Sequence, residues 1–226
     1  MFILWSRLWL WGHIQQSWFP FLLLHKSNQY KLFIGTLLSI TAERDILRKE
    51  YKSKTYGIPA IYFSRYVYEL MIMLPLSLSL KTVNYFGANL EDSFENFSVF
   101  FIVFVLIVIF SQTYGMLVGT LFYDEKATVH FSAVLFGPLV VFGGYIVHIE
   151  NVYVWMRWMQ YLSPIRFAFE ILLKNEFDDN SKYKTNANDR YELDFGIFNW
   201  YIMLTVSIFV TALLGFLTLT RVISAK

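Results

Sequence analysis

Cysteine is absent from the 226 residues, which excludes disulfides, thiolate metal sites and a cysteine nucleophile. Charge is scarce too: 16% of residues are Asp, Glu, Lys or Arg, against about 25% in an ordinary soluble domain. The net charge of +2 is small and dispersed, so there is no clustered basic face of the kind that binds nucleic acid. No G-x-x-x-x-G-K-[ST] run occurs, so nothing here cradles the phosphates of ATP. His13, His25, His130 and His148 are scattered without the H-E-x-x-H spacing of a metal site. The acidic pairs Glu91-Asp92 and Asp178-Asp179 sit in polar stretches without a nucleophilic partner, and they read as solvated surface. The residues define no active site.

What is abundant is apolar. Hydrophobic residues make up 56%, aromatics 20%, and the mean hydropathy is +0.45, the balance of a membrane protein. Residues 99–110 form an unbroken Val, Ile, Phe and Leu run that continues through Gly119. β-branched residues favour strands, but this run far exceeds the usual strand of about five or six residues and matches a bilayer. Gly115 and Gly119 have the four-residue spacing that lets membrane helices approach closely. Packing within the chain is the first expectation for them, a contact between subunits the second.

Further spans are expected at 58–83, 131–146 and 195–219, with 28–42 as the short end of another. Residues 1–27 are apolar but interrupted by Arg7, His13, Gln15, Gln16 and Pro20; they predict an irregular or interfacial segment and carry no signal-peptide cleavage site. Pro59 suits the first turn of the 58–83 helix. Within that helix Arg65 and Glu69 are four apart, a spacing that allows pairing. An ionisable group inside a span is costly and usually functional; for Glu69 a structural hydrogen bond to a neighbouring helix is favoured over contact with a substrate.

The 43–57 segment carries Arg44, Arg48, Lys49, Lys52 and Lys54 beside Glu43 and Glu50, which places it in the cytoplasm by the positive-inside tendency. Two readings stand side by side: a solvated turn that fixes topology, and a short helix with a small apolar patch that docks on a soluble motor. The 84–96 stretch has no Lys or Arg and is expected outside. Alternation then puts 122–130 inside, 148–196 in a large external loop, and 222–226 in a cytoplasmic tail. Asn96-Phe97-Ser98 matches a glycosylation sequon, expected to be unused so close to a span.

Residues 138–177 change character along their length. An apolar span runs into Phe142-Gly143-Gly144, and a Trp- and Tyr-rich piece follows that Pro164 divides. Trp155, Trp158 and Tyr161 suit the membrane interface, and the proline prevents one continuous helix. A corner that dips back into the bilayer is predicted, held against other helices because irregular backbone needs partners at membrane depth.

This stretch also carries a resemblance. FGG, then W-x-x-W-x-x-Y-L-S-P-I-R-x-x-x-E from Trp155 to Glu170, then Asn175-Glu176-Phe177, resembles the region after the fifth membrane helix of White-type (G-subfamily) ATP-binding-cassette half-transporters. Upstream, Glu43-Arg44, Arg48, Glu50, Tyr56-Gly57, Tyr62-Phe63 and Glu69-Leu70 resemble that family's first cytoplasmic loop and third membrane helix. The family has proline just after the Glu-Leu step; Met71 stands there in this chain and Pro75 follows later.

The resemblance implies an all-α, ABC-2 type transmembrane bundle over residues 28–221, with about four to five spanning helices plus the re-entrant or interfacial segment after the penultimate span. It implies that 43–57 is a coupling element toward a nucleotide-binding domain, with Glu43, Arg44, Arg48 and Glu50 on matched positions. It further implies that Phe136 and Val140 face a cargo cavity and that Tyr145 and Ile146 form its constriction. Function follows as the membrane part of an exporter of lipids, sterols or other hydrophobic molecules, working as a homo- or heterodimer of half-transporters. ATP and Mg would belong to the nucleotide-binding domain, with no cofactor in this chain. The alternatives are a stand-alone permease subunit and a truncated or modulating partner without transport of its own.

Overall fold

The computed structural model describes residues 33–54, 56–87, 94–122, 124–143, 153–177 and 197–224. All regular elements among them are helical. In chain order these are α1 over 33–52, α2 Ile58–Gly87, α3 Phe94–Leu121, α4 Glu125–Val141, a 3₁₀ helix Val154–Leu162, α5 Pro164–Phe177 and α6 Ile197–Ser224.

The apolar run of 99–110 lies in α3, which touches α2, α4, α5 and α6 and, through Gly115 and Gly119, α1. Phe100, Val103 and Ile107 on one side of it pack with Phe167 and Ile171 of α5 and Trp200 and Leu204 of α6. Phe110 and Val118 on another side join Phe33 and Leu37 of α1 and Phe136 and Leu139 of α4. The strand alternative is thereby excluded: a helix satisfies its backbone internally along the whole run.

Gly115 and Gly119 serve contact within the chain. A Cβ on Gly115 would stand 2.9 Å from the Phe33 carbonyl oxygen, and one on Gly119 would lie 3.0 Å from that of Leu37 and overlap an Ile40 methyl. Because the two glycines meet successive turns of α1 in rising order, α1 and α3 run parallel. So do α3 and α6: Thr113 meets Thr211 at 3.2 Å and Thr120 meets Thr218 at 2.7 Å, both at a separation of 98 residues. Each of these hydroxyls also bonds a carbonyl one turn back, so none is stranded among apolar neighbours. Parallel α3 and α6 are what the charge pattern requires, since it has both helices start outside and end inside.

Several boundaries differ from expectation. The 43–57 segment is not a loop throughout: α1 continues through Lys52, and the turn begins at Ser53. The turn is closed by Lys54 in the left-handed region, φ 57°. A run of good helix formers from Glu43 to Glu50 explains the extension. The fourth helix begins at Glu125, where the Asp124 side chain accepts from the Ala127 N–H, six residues before its apolar run. The last helix runs on through Val222, and Ile223 is 2% exposed in the core, so the expected tail starts later.

Among the described residues two stretches are long and apolar enough to cross a membrane: α3, with mean hydropathy 2.3, and Phe198–Ser224 of α6, with 2.4. In α6 only 17% of the apolar window is buried, so Phe198, Val206 and Phe209 face outward, a surface suited to lipid and ill suited to water. Helix α2 has the length, at 30 residues, but its Arg65 and Glu69 lower its hydropathy; α4, at 17 residues, is short. Among the described residues, composition alone therefore marks two spans of the expected bundle.

Candidate functional site

The α1 tail is bound to two helix ends by its arginines. Arg44 is buried and donates to the Gly119 carbonyl at 2.6 Å, and the Thr41 hydroxyl reaches the same oxygen at 3.3 Å. Arg48 donates from Nε and Nη2 to the Val222 carbonyl at 3.2 and 3.0 Å. Gly119 and Val222 lie in the last turns of α3 and α6, where carbonyls lack a partner within the helix and the helix dipole is negative. Each guanidinium thus meets both needs.

Glu43 pairs with Arg65 of α2, which also reaches the Ser39 hydroxyl. Arg65 further stands 3.3 Å from Glu69, so the predicted pairing at four-residue spacing is present. Rather than extending toward the membrane edge, Arg65 is drawn inward to bridge α1 and α2. The remaining matched residue, Glu50, is half-buried, and its carbonyl accepts from Ser53.

Elsewhere on the elbow, Asp45, Lys49 and Lys52 are exposed, as are two large apolar side chains, Ile46 in α1 at 55% and Tyr56 beyond the turn at 58% exposure. Leu47 points the other way into the core with Ile58, Ile61 and Met116. The elbow therefore has one side fastened to the bundle and one side presenting a small apolar patch ringed by charge.

A second polar centre lies at the corner before α5. The backbone breaks at Ser163, which is fully buried and donates to the Leu139 carbonyl at 2.6 Å, and Pro164 then opens α5 where its missing N–H costs nothing. Arg166 donates to Gln160, stands 3.6 Å from the Glu170 carboxylate and lies over the rings of Tyr161 and Trp200 at 5.9 and 5.8 Å. Arg166 and Glu170 are 4% and 1% exposed. The irregular backbone is thus enclosed by protein, as the predicted corner requires. Tyr153, Trp155, Trp158 and Tyr161 are all more than half exposed, the placement of an interfacial aromatic group. At the far end of α5, Asn175 donates to the Asn96 carbonyl at 3.1 Å, at the start of α3 and therefore at the opposite end of the bundle from Arg48. Asn96 is itself buried.

Of the residues expected around a cavity, Phe136 is 4% exposed and stacks on Phe33 with centroids 5.0 Å apart, and Val140 is half-buried beside the same cluster. Tyr145 and Ile146 lie outside the described residues. Among those residues no three His, Asp or Glu side chains gather as a metal site would require. The Arg166–Glu170 pair was spelled out in the motif but not singled out, because no spacing rule separates a buried pair from a surface pair on an amphipathic helix.

Residues 28–177 match the family model described as ABC-2 type transporter. The chain is 26% identical over 141 residues to the ABC transporter eupT of Phoma sp, with 62% of the chain and 10% of that protein aligned. It is 27% identical over 143 residues to the ABC multidrug transporter A-2 of Aspergillus fumigatus, covering 63% of the chain and 10% of that protein. To the ABC transporter ATP-binding protein/permease wht-1 of Caenorhabditis elegans it is 24% identical over 139 residues, covering 62% of the chain and 21% of that protein. The chain therefore spans a small fraction of the length of these relatives.

Proposed function

This chain belongs to the ABC-2 type transporter family, and from that premise we propose that it forms the membrane-spanning part of an ATP-driven exporter of apolar or amphipathic molecules such as lipids, sterols or drug-like compounds. Helices α2, α3, α4 and α6 cross the bilayer, α1 supplies the inner end of a further span, and the 3₁₀ helix with α5 forms the re-entrant corner. The chain is not itself an ATPase, since its sequence has no phosphate-cradling loop. ATP and Mg are held by a nucleotide-binding domain, and two membrane domains pair to complete the cargo path.

The observation that carries this reading is the two-sided elbow. Ile46 and Tyr56, exposed among Asp45, Lys49 and Lys52, offer a patch for a soluble domain, while Arg44 and Arg48 grip the ends of α3 and α6. A push on the patch reaches both helices through hydrogen bonds from charged donors, each contributing about 1.5–3 kcal/mol. A relative named as a multidrug transporter supports a transported small-molecule cargo.

The test is Ile46→Asp in the chain assembled with its nucleotide-binding domain. Losing the burial of one isoleucine removes about 1.5–3 kcal/mol of docking, so uptake of a hydrophobic dye into inverted vesicles should drop about tenfold or more while ATP hydrolysis continues. Glu50→Ala should act in the same direction. Transport that stays tied to hydrolysis in both variants would remove the docking role.

A further inference from the structure

Three buried polar side chains gather where α1, α2 and α3 meet, none of them in the elbow. Gln112 of α3 is 0% exposed, and among the described residues neither its amide nitrogen nor its oxygen has a hydrogen-bond partner. Thr36 of α1 is 2% exposed and Glu69 of α2 is 7% exposed, with the Arg65 guanidinium 3.3 Å from the Glu69 carboxylate.

Packing places them together. On α3, Val108 packs against Met73 and Leu78 of α2, and Met116 shares a cluster with Ile58 and Ile61 of α2. Gln112 lies midway between Val108 and Met116 on the same helical stripe. It therefore faces α2 between Ile61 and Met73, at the level of Arg65 and Glu69. Gly115, one turn from Gln112, abuts Thr36, whose Cβ would be 3.1 Å from a Cβ at Gly115, and the Thr36 hydroxyl lies beside the Glu69 carboxyl group.

Buried polar atoms in native proteins are almost always partnered, and an unpartnered one implies a bound group. The chemistry of this set narrows that group. An anion is repelled by Glu69, and a cation is disfavoured because Arg65 already stands 3.3 Å from the same carboxylate. The free valences are the amide donors and carbonyl acceptor of Gln112, with spare acceptor lone pairs on Thr36 and Glu69 beside them, which suits a neutral group that both donates and accepts. We propose that Thr36, Glu69 and Gln112 form a buried binding site for a hydroxyl group, supplied either by water or by the alcohol of an amphipathic molecule. Such a site makes the α1–α2–α3 seam a hydrated contact inside an otherwise apolar bundle.

The full chain in phosphatidylcholine nanodiscs gives the test. Magnetisation transfer by NMR should connect the Gln112 side-chain amide protons with water, or, after addition of 1-dodecanol, with the alcohol. A water signal that persists with dodecanol present identifies water; replacement by the dodecanol signal, with dodecane inert, identifies an amphiphile's alcohol. Absence of both signals overturns the proposal. Stability supplies the second arm. A truly empty site gains from Gln112→Leu, because an unpartnered polar group is removed, whereas an occupied site loses its ligand bonds. The expected result is a drop in Tm of about 2–4 °C for Gln112→Leu, with Thr36→Val falling in the same direction; an unchanged or higher Tm in both variants rejects the site.

Discussion

Arg48 and Val222, 174 positions apart in sequence, are joined by two hydrogen bonds from one guanidinium to one carbonyl oxygen. The contact ties the end of α1 to the last turn of α6, and its donor geometry is specific to arginine. Arg48→Lys keeps the charge but not the two-pronged donation, so it should retain part of the stability that Arg48→Ala loses. For the alanine variant a loss of about 1–2 kcal/mol is expected, the lower part of the range for charged donors because the side chain is partly exposed. Thermal unfolding of the purified chain in detergent measures both; a lysine variant as stable as the unsubstituted chain would show that only the charge matters, and one no more stable than the alanine variant that the charge contributes nothing.

Gly119 and Gly137 form a matched pair for testing the α1–α3 contact. Gly119→Ala places a methyl against Ile40 and the Leu37 backbone, whereas at Gly137 nothing lies within 4 Å. The first should destabilise by about 1–3 kcal/mol through overpacking. The second should stabilise by up to about 1 kcal/mol through helix propensity. Opposite shifts in unfolding midpoint are expected, and shifts of the same sign would contradict the close approach.

At the corner, Arg166 and Glu170 are buried together. Removing the carboxylate takes an opposite charge away from a buried guanidinium, so Glu170→Ala should cost about 3–5 kcal/mol. The double variant Arg166→Met with Glu170→Leu should recover most of that loss. A double-mutant cycle read by unfolding checks the coupling; additive losses would mean that each residue is held by other neighbours.

Lys54 occupies left-handed backbone at φ 57°, which costs a residue with a side chain about 1–2 kcal/mol relative to glycine. It is exposed at the end of α1, so Lys54→Gly removes the strain without touching the core. An increase in stability of up to about 1 kcal/mol is expected after the entropy of glycine in the unfolded chain is counted. A decrease would mean that the lysine side chain holds the turn.

How far the sequence foretold these features depends on the range of the interactions involved. The α3 span was legible because residues 99–110 are all apolar, and the break at Pro164 because proline acts on its own backbone. Arg65 and Glu69 were legible as a pair because four residues bring them to one helix face. The roles of Arg44 and Arg48 were not: their partners are carbonyls 75 and 174 residues away, and a backbone oxygen leaves no trace in composition. They looked like surface charge in a charged loop, and only the arrangement of α3 and α6 turns them into caps. Gln112 was hidden for a related reason, inside the short polar step Ser111-Gln112-Thr113 of a long apolar helix. The start of α4 was misplaced since hydropathy marks the apolar stretch, while the Asp124 cap sets where the helix starts.

The two threonine pairs between α3 and α6 limit how these helices can travel. Thr113 and Thr120 are seven residues apart, as are their partners Thr211 and Thr218, so sliding one helix along the other by a single turn, about 5.4 Å, breaks both pairs and remakes neither. The two helices are therefore fixed lengthwise to one another and behave as a single girder. Any change of shape in the bundle must come from neighbours swinging about that girder, or from the girder tilting whole.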